Sequence, residues 1–221
     1  MRQPVYDWGM AQALRIVAIS DTHNLHDRLT IPPGDVLVHS GDFTSHGELP
    51  DVVAFNDFLR RQPHRYKIVV AGNHDFCFER SPEEARALLT ACHYLQDEAV
   101  TVEGVTFYGS PWQPWFYDWA FNLQRGPELA AKWAMIPGGT DVLVTHGPPL
   151  GHGDRVVRGG AVGCADLLGA VERVRPRLHI FGHIHEGAGL TRNEHTTFLN
   201  ASNCDHRYRA INPPVVFDLE R

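Results

Sequence analysis

The stretch KIVVAGNHD, from Lys67 to Asp75, joins a short apolar run to a group of polar residues. Lys67–Ala71 has the length and the β-branched content of a buried strand, and Gly72 ends it. The letters NHD follow at once. Because α/β proteins bind ligands outside the carboxyl ends of their strands, we expect these three side chains to face a functional site.

Four other apolar segments end in the same way, with oxygen or nitrogen donors directly after the strand. Glycine stands beside most of these donors, which lets the backbone turn sharply and approach a ligand closely. The predicted strands and their donors are Leu14–Ser20 with Asp21 and His23, Asp35–Ser40 with Asp42, Val142–Val144 with His146, and Leu178–Phe181 with His183 and His185.

Segments with helical periodicity separate these strands, and short strands complete the pattern. Wholly apolar strands are typical of sheets that are covered on both faces, and the helices supply that cover. We therefore predict an α/β fold with two sheets and helices outside, as one domain over 14–221 behind an N-terminal arm over 1–13. The predicted helices are Pro50–Arg61, a segment from the apparent capping box at Ser81 to Leu89, Pro127–Ala134 and a stripe from Cys164 to Val171; the further strands are Val100–Val102, Val105–Tyr108, His195–Leu199 and Val215–Asp218.

The donors at the strand ends are carboxylates, imidazoles and one amide. This mixture suits Mn, Fe, Zn or Co better than a structural zinc clip or a calcium cage. Seven side chains are too many for one ion of four to six ligands that keeps an open position, so we predict two divalent ions and one bridging carboxylate. The seven are Asp21, His23, Asp42, Asn73, His146, His183 and His185.

Composition excludes several classes of protein. The chain has 221 residues, of which 43% are hydrophobic, and its longest apolar runs are too short to cross a membrane. A net charge of -6 argues against a general nucleic-acid surface. The first twelve residues lack the pattern of a signal peptide, and the four scattered cysteines indicate free thiols in a reducing cytoplasm.

The five motifs, in this order, resemble those of the calcineurin-like metallophosphoesterases: DTH, GD, GNHD, THGPP and GHIH. RPRLHIFGHIHEG, the NAS of Asn200–Ser202 and NPPVVFDL are similar to the metallophosphoesterase-domain-containing branch, which is associated with cyclic nucleotide phosphodiesterase activity. The resemblance implies a four-layer α/β/β/α sandwich. It also implies that one ion is held by Asp21, His23 and His185, the other by Asn73, His146 and His183, and that Asp42 bridges them.

The chemistry that follows is hydrolysis of a phosphodiester of nucleotide type, cyclic nucleotides included, by a hydroxide shared between two ions. The resemblance gives His74 the role of general acid or of a group that stabilises the transition state. Asp75 either orients His74 or caps a turn. Two rival readings stay open: a broad phosphomonoesterase or protein phosphatase, and a catalytically weak nucleotide-binding protein. Manganese and iron are the favoured metals.

Several residues have both a functional and a structural interpretation. The aromatic segment Phe107–Phe121 is either an ordered loop or a stacking wall for a nucleobase, with Trp112, Trp115 and Phe116 as its candidates. Substrate contacts are predicted for Asn73, His74, Phe76, Trp112 and His152. Asp154, Arg155 and Arg158 are weaker candidates for substrate, Asn24 and His26 for contact with the metal ligands, and His39, His179 and His195 are expected to be core or edge histidines.

Overall fold

The computed structural model describes residues 13–157 and 159–221. The predicted arm over 1–13 therefore lies outside the described residues except for Ala13, and so does Arg158. Thirteen strands and five helices follow one another along the rest of the chain. In chain order the elements are β1 Leu14–Ile19, β2 Val36–His39, α1 Leu49–Arg61, β3 Tyr66–Val69, α2 Cys77–Arg80, α3 Pro82–Leu88, β4 His93–Tyr94, β5 Glu98–Val102, β6 Val105–Ser110, β7 Gln113–Pro114, β8 Asn122–Leu123, α4 Pro127–Ala134, β9 Val142–Thr145, α5 Ala165–Val174, β10 Leu178–Phe181, β11 Gly189–Arg192, β12 Thr197–Asn200 and β13 Val215–Leu219.

Two sheets carry the fold. The first has the order β13-β1-β2-β3-β4, in which β13 is antiparallel to β1 and the other neighbours are parallel. The second has the order β11-β12-β10-β9-β6-β5, with parallel pairs in its centre and an antiparallel pair at each edge. The short strands β7 and β8 pair with each other. Central parallel strands place their carboxyl ends at one edge of each sheet.

Alternation along the strands divides the core into layers. Ile16 and Ala18 of β1 join a cluster that both sheets share, whereas Val17 and Ile19 pack against α1, α2 and α3. A third cluster joins the second sheet to α4 and α5 and includes Trp133. The layers are thus helix, sheet, sheet and helix, which confirms the predicted four-layer α/β/β/α sandwich.

The structure differs from the sequence predictions in a few elements. Ser81 is the N-cap of α3, but its side chain caps no backbone N–H, so the expected capping box does not form. His195 lies in the turn before β12 with a side chain that is 42% exposed, so it is not a core or strand histidine. Strands β4, β7 and β8 have two residues each, too few to give a periodic pattern.

Backbone contacts bring the two sheets together at the edge where the donors lie. Asn203 donates its backbone N–H to the carbonyl of Ser20, at 2.9 Å, and its side-chain oxygen accepts from the backbone N–H of Ser20 at 3.1 Å. Within the sheets, Asp21 N–H donates to Gly41, and Gly182 N–H donates to His146, both at 2.9 Å. Loops from distant parts of the chain are therefore fixed side by side.

Over the described residues, none of the helices has both the length and the apolarity that crossing a bilayer requires.

His179 on β10 provides a pH test of this packing, because burial lowers its pKa to about 3. The ring donates from Nε2 to Thr145 Oγ1, at 2.9 Å, while Thr145 donates to Gly147. An unfolded histidine has a pKa of about 6.5, so the stability that this neutral ring contributes is complete above that pH and is lost as the pH falls towards 3. Between pH 7 and pH 5 the loss is about 2 kcal/mol.

The amide of His179→Gln can still donate to Thr145 but does not titrate. We expect the free energy of unfolding of this variant to fall by about 2 kcal/mol less than that of the wild type between pH 7 and pH 5. Urea unfolding of both proteins in the presence of a chelator measures this difference. His195→Gln, at an exposed position, serves as the control. An equal pH dependence in His179→Gln and wild type would contradict the assignment of a buried neutral ring.

Candidate metal centre

The carboxylate of Asp42 lies at the middle of the cluster that the strand ends form. Asp42 follows β2 and is 2% exposed. Its Oδ2 lies 3.4 Å from Nε2 of His146 and 3.9 Å from Nε2 of both His23 and His74. Since these histidines follow β9, β1 and β3, one oxygen is surrounded by imidazoles from three different strands.

Two sets of donors flank Asp42. The first consists of Asp21, His23 and His185, where His185 Nε2 lies 3.3 Å both from Asp21 Oδ1 and from His23 Nε2. The second consists of Asp42, His146 and His183, with Asn73 Oδ1 at 2.8 Å from His146 Nε2. In each set the donor atoms of the acids and histidines lie within 4.8 Å of one another, close enough to hold one ion. The structure thus brings all seven predicted ligands together.

A third set with the same spacing combines His23, Asp42 and His74. It overlaps both of the others through shared side chains. His74 is only 8% exposed, and its Nδ1 lies 2.7 Å from the carbonyl oxygen of Ser45. Because a carbonyl oxygen only accepts, Nδ1 carries a proton, and Nε2 is the nitrogen that faces the cluster.

The orientation of the rings fits a pair of divalent ions. Nδ1 of His185 lies 2.9 Å from the carbonyl of Asp205, and Nδ1 of His146 lies 3.0 Å from that of Ser40. Each Nδ1 is therefore a donor, which points the lone pair of Nε2 inward as a metal ligand requires. Two glycines leave room for the carboxylates, since a Cβ at Gly72 would collide with Asp42 Oδ1 and one at Gly182 with Asp21 Oδ2. Nitrogen and oxygen donors of this kind suit first-row divalent metals.

Electrostatics keeps both carboxylates charged. Burial alone would raise the pKa of Asp21, but the hydrogen bond and charge of His185 hold that pKa well below the usual range. Burial likewise opposes ionisation of Asp42, whose pKa is nevertheless lowered by His146, His74 and His23. Two buried negative charges at one point attract cations.

The histidines divide into two groups. Burial disfavours the charged forms of His146 and His185, yet the nearby carboxylates raise the pKa of each to about 9. Burial lowers the pKa of His183 to about 3 and that of His23 to about 4. The second pair is therefore neutral and ready to bind a metal, whereas the first pair releases protons when a metal binds, so metal affinity rises with pH.

Backbone strain concentrates at the cluster. Eleven described residues other than glycine have positive φ, and five of them are Asp21, His23, Asp42, His183 and Tyr208. Left-handed backbone is unfavourable for such side chains, and it persists where the surrounding structure imposes it, often at functional sites. The short turns after the strands therefore aim each donor at the expense of local conformational energy.

Asp75 holds two of these turns together. Its Oδ2 accepts backbone N–H groups of Asp42 and Gly72, at 2.9 and 2.8 Å, and its Oδ1 accepts the backbone N–H of Thr44 at 2.9 Å and its hydroxyl at 2.8 Å. Burial and the neighbouring Asp42 raise the pKa of Asp75 to about 7. Of the two roles predicted for Asp75, capping of turns is the one whose hydrogen bonds are present.

A segment near the carboxyl terminus supports the first set of donors. Ser202 Oγ donates to Asp21 Oδ2 at 2.8 Å, and Asp205 supplies the carbonyl that fixes His185. Tyr208 places its ring against His23, with centroids 4.8 Å apart, and against His185 at 5.6 Å. No role was predicted for these three residues, because they lie outside the five motifs and only the fold brings them to the cluster.

A cleft of about 180 Å³ opens over the cluster. Trp119 forms one wall and lies 4.2 Å from the ring of His74, centroid to centroid, while Phe76 packs behind it at 5.7 Å. Phe116 forms another wall, 6.5 Å from His183. The lining residues are Asp42, Asn73, His74, Phe116, Trp119, His183, His185, Glu186, His206 and Tyr208. The sequence predicts no role for Glu186 and His206, since nothing nearby distinguishes them from surface residues, and Trp119 lies in the predicted aromatic segment but is not one of its named candidates.

Besides Phe76, which packs behind Trp119, two predicted substrate contacts do not reach the cleft. Trp112 packs between two hydrophobic clusters, donates from Nε1 to Asp97 at 2.8 Å and lies under Lys132. His152 stacks on Phe198 at 3.6 Å between centroids. Hydrogen bonding and packing commit both rings elsewhere, so these two side chains do not line the candidate site.

The weaker candidates also lie in structural positions. His26 packs against Phe55 and Phe58, and Asn24 donates its backbone N–H to Phe43. Asp154 accepts the backbone N–H groups of Gly151 and Gly163 and so closes a loop. Arg155 is exposed and does not line the cleft, whereas Trp115 is exposed beside Phe116. His39 and His179 are buried, as predicted.

Comparison with known proteins agrees with this geometry. The sequence pattern of the calcineurin-like phosphoesterase family matches residues 14–187. Human metallophosphoesterase domain-containing protein 1 is 48% identical over 230 residues, which cover 93% of this chain and 71% of the human protein. The UPF0046 protein C25E10.12 of Caenorhabditis elegans is 44% identical over 228 residues, which cover 93% of this chain and 81% of the nematode protein.

A solved structure of low sequence identity shares the fold. The protein TT1561 of Thermus thermophilus superposes with a TM-score of 0.57 at 13% identity, over 94% of this chain and 99% of the other. The family match spans the five motifs and all seven clustered donors. The chain belongs to the calcineurin-like phosphoesterase family and is a metal-dependent phosphoesterase.

Proposed function

We propose that the protein is a phosphodiesterase of nucleotide-type substrates, cyclic nucleotides among them. Two divalent ions, with manganese or iron favoured over zinc or cobalt, would be held by Asp21, His23 and His185 on one side and by Asn73, His146 and His183 on the other. Asp42 would touch both. When bound, such a pair of ions neutralises the phosphate and activates water for attack.

The charge of the cleft favours a diester, and this observation carries the proposal. Among the described residues, neither lysine nor arginine lines the cleft, and Glu186 adds a second carboxylate to that of Asp42. Near neutral pH a phosphomonoester carries almost two negative charges, since its second pKa is about 6, whereas a diester carries one. A cleft with few cations of its own therefore suits the diester better.

Aromatic walls support a nucleotide as the substrate. The rings of Trp119, Phe116 and Tyr208 border the cleft. Trp119 and the exposed Tyr208 lie beside His74, whereas Phe116 lies beside His183. Stacking of a base on such a ring contributes about 1–3 kcal/mol and tolerates any base. Of the three candidates for a stacking wall, Phe116 lines the cleft and Trp112 does not, and the proposed wall gains Trp119 and Tyr208.

His74 is the proposed general acid. Ser45 fixes the proton on Nδ1, so the imidazolium has one further proton, on Nε2, that it can deliver to a leaving alkoxide. Trp119 covers one face of the ring and limits access of water.

The proposal also includes a cytoplasmic location, which is supported by four cysteines that remain as thiols.

A substrate panel tests the proposed function. We expect protein of measured manganese content to hydrolyse bis-p-nitrophenyl phosphate and 2′,3′- or 3′,5′-cyclic nucleotides with higher kcat/KM than p-nitrophenyl phosphate. The reason is the single charge of the diesters. Monoester turnover far above diester turnover would contradict the proposal, and tight nucleotide binding without turnover would favour a binding protein.

Two substitutions separate metal binding from proton transfer. Asp42→Ala should lose both bound metal and activity, because it removes the donor shared by both sets. His74→Ala should keep the metal and lose about 10²–10⁴-fold in kcat, the usual contribution of a general acid. Elemental analysis and initial rates on the same samples measure both effects.

His195→Ala, at an exposed histidine remote from the cleft, is the matched control and should retain metal and rate. A His74→Ala protein without metal would show that His74 serves as a ligand, as the third donor set allows. That result would refute the division of roles between His74 and Asp42.

A further inference from the structure

Two further pockets, both mainly apolar, share lining residues with the cleft. The first, of about 370 Å³, is termed the His74 pocket and is lined by His23, Leu25, Ser45, His46, His74, Trp119 and Tyr208. The second, of about 340 Å³, is termed the Phe116 pocket and is lined mainly by Pro114, Trp115, Phe116, Pro148, Val156 and Val162. Each volume is larger than the 180 Å³ of the cleft itself.

The two pockets adjoin the cleft through different residues. The His74 pocket shares His74, Trp119 and Tyr208 with the cleft, and the Phe116 pocket shares Phe116, His183 and Glu186 with it. The pockets share no lining residue with each other. His23, from one donor set, borders the first pocket, and His183, from the other set, borders the second. A phosphate in the cleft would thus have a separate adjoining pocket for each of its two ester arms.

The polar groups of the Phe116 pocket are already used by the protein. The guanidinium of Arg125 donates to the carbonyls of Gly163 and Val162, at 2.8 and 2.7 Å. Glu186 Oε1 accepts the backbone N–H of Val157 at 3.3 Å. Apart from Gly147 and His183, which is a predicted metal ligand, the remaining surface is aromatic, proline, valine and isoleucine. This pocket therefore suits an apolar or aromatic group rather than a second phosphate.

We infer that the preferred substrates are linear phosphodiesters that carry a bulky apolar or aromatic group on each ester arm. The leaving arm lies in the His74 pocket, and the retained arm lies in the Phe116 pocket. This inference rests on the proposed phosphodiesterase function and specifies its substrate class. The arms are distinguished because His74, the proposed proton donor, lines one pocket and not the other.

The proposed reaction is hydrolysis of one ester bond of the phosphodiester. The oxygen of water forms a new bond to phosphorus, and the bond to the leaving oxygen breaks with its electron pair. The leaving oxygen takes the Nε2 proton of His74, and the protons of water return to His74 and to solvent. The retained arm stays on the phosphomonoester product. A diester with a small second arm, or a cyclic nucleotide with one base, fills only one pocket.

Two diesters with the same leaving group isolate the retained arm. Methyl p-nitrophenyl phosphate and phenyl p-nitrophenyl phosphate both release p-nitrophenolate, but only the second places a ring in the Phe116 pocket. We expect the phenyl-to-methyl ratio of kcat/KM for the manganese enzyme to exceed the ratio of the spontaneous reactions by about tenfold, the effect of burying much of one aromatic ring.

Substitutions that fill one pocket each test the assignment. Val162→Trp should lower the phenyl-to-methyl ratio by about tenfold, because its indole occupies the space of the retained ring. Leu25→Trp should lower kcat/KM for both esters together and leave the ratio unchanged, because both esters place the same aryl group in the His74 pocket. Val53→Trp, at an exposed valine of α1 that lines neither pocket, is the matched control.

Binding provides a readout that does not depend on turnover. In calorimetry, diphenyl phosphate should bind about tenfold more tightly than dimethyl phosphate, and Val162→Trp should reduce that preference. Phe116→Ala, which removes an aromatic wall instead of filling the space, should act in the same direction. It keeps the test decisive if Val162→Trp does not fold.

The outcomes separate the inference from the proposed function. An unchanged phenyl-to-methyl ratio in folded Val162→Trp and Phe116→Ala would overturn the two-pocket inference while diester hydrolysis stands. A ratio that responds to Leu25→Trp instead would reverse the arms and overturn their assignment. Failure of the wild-type enzyme to hydrolyse either diester, with full metal content, would overturn the proposed function itself.

Discussion

The structure depends on the burial of two carboxylates at one point between two sheets. Asp21 and Asp42 are 0% and 2% exposed, and burial of an ionised carboxylate is costly unless positive charge lies beside it. Imidazoles supply part of that charge, and a pair of divalent ions would supply much more. The strained turns, the close-packed glycines Gly72 and Gly182 and the buried Asp75 all serve to keep the carboxylates and imidazoles together.

The sequence predicts most of this centre because each donor directly follows an apolar strand. Parallel strands place such positions at one edge of a sheet, so strand order suffices to bring His146 near His183. Packing of the two sheets then brings His146 near Asp42 of the first sheet. The four-layer fold is predictable for the same reason, since strands buried on both faces need helices outside. The pairing of ligands into two sets came from the family resemblance and not from spacing.

Other features depend on long-range packing and carry no local signal. Trp119 and Trp112 occupy one aromatic segment, yet the first reaches His74 while the second is held by Asp97 and Lys132. Tyr208 reaches the cleft only because the chain crosses from the second sheet to the first after β12. Apolar character alone cannot distinguish a ring that lines a cleft from one that packs in the core.

Chemistry and specificity are thus separated along the chain. The motifs supply the charged centre, whereas the loop walls supply the pockets that would select the ester arms. The central claim is tested most directly by anomalous diffraction from crystals grown with manganese. The account predicts two peaks, one contacting Asp21 and His185 and the other contacting Asn73 and His146, with an oxygen of Asp42 between them. A single peak, or peaks that do not contact Asp42, would contradict it.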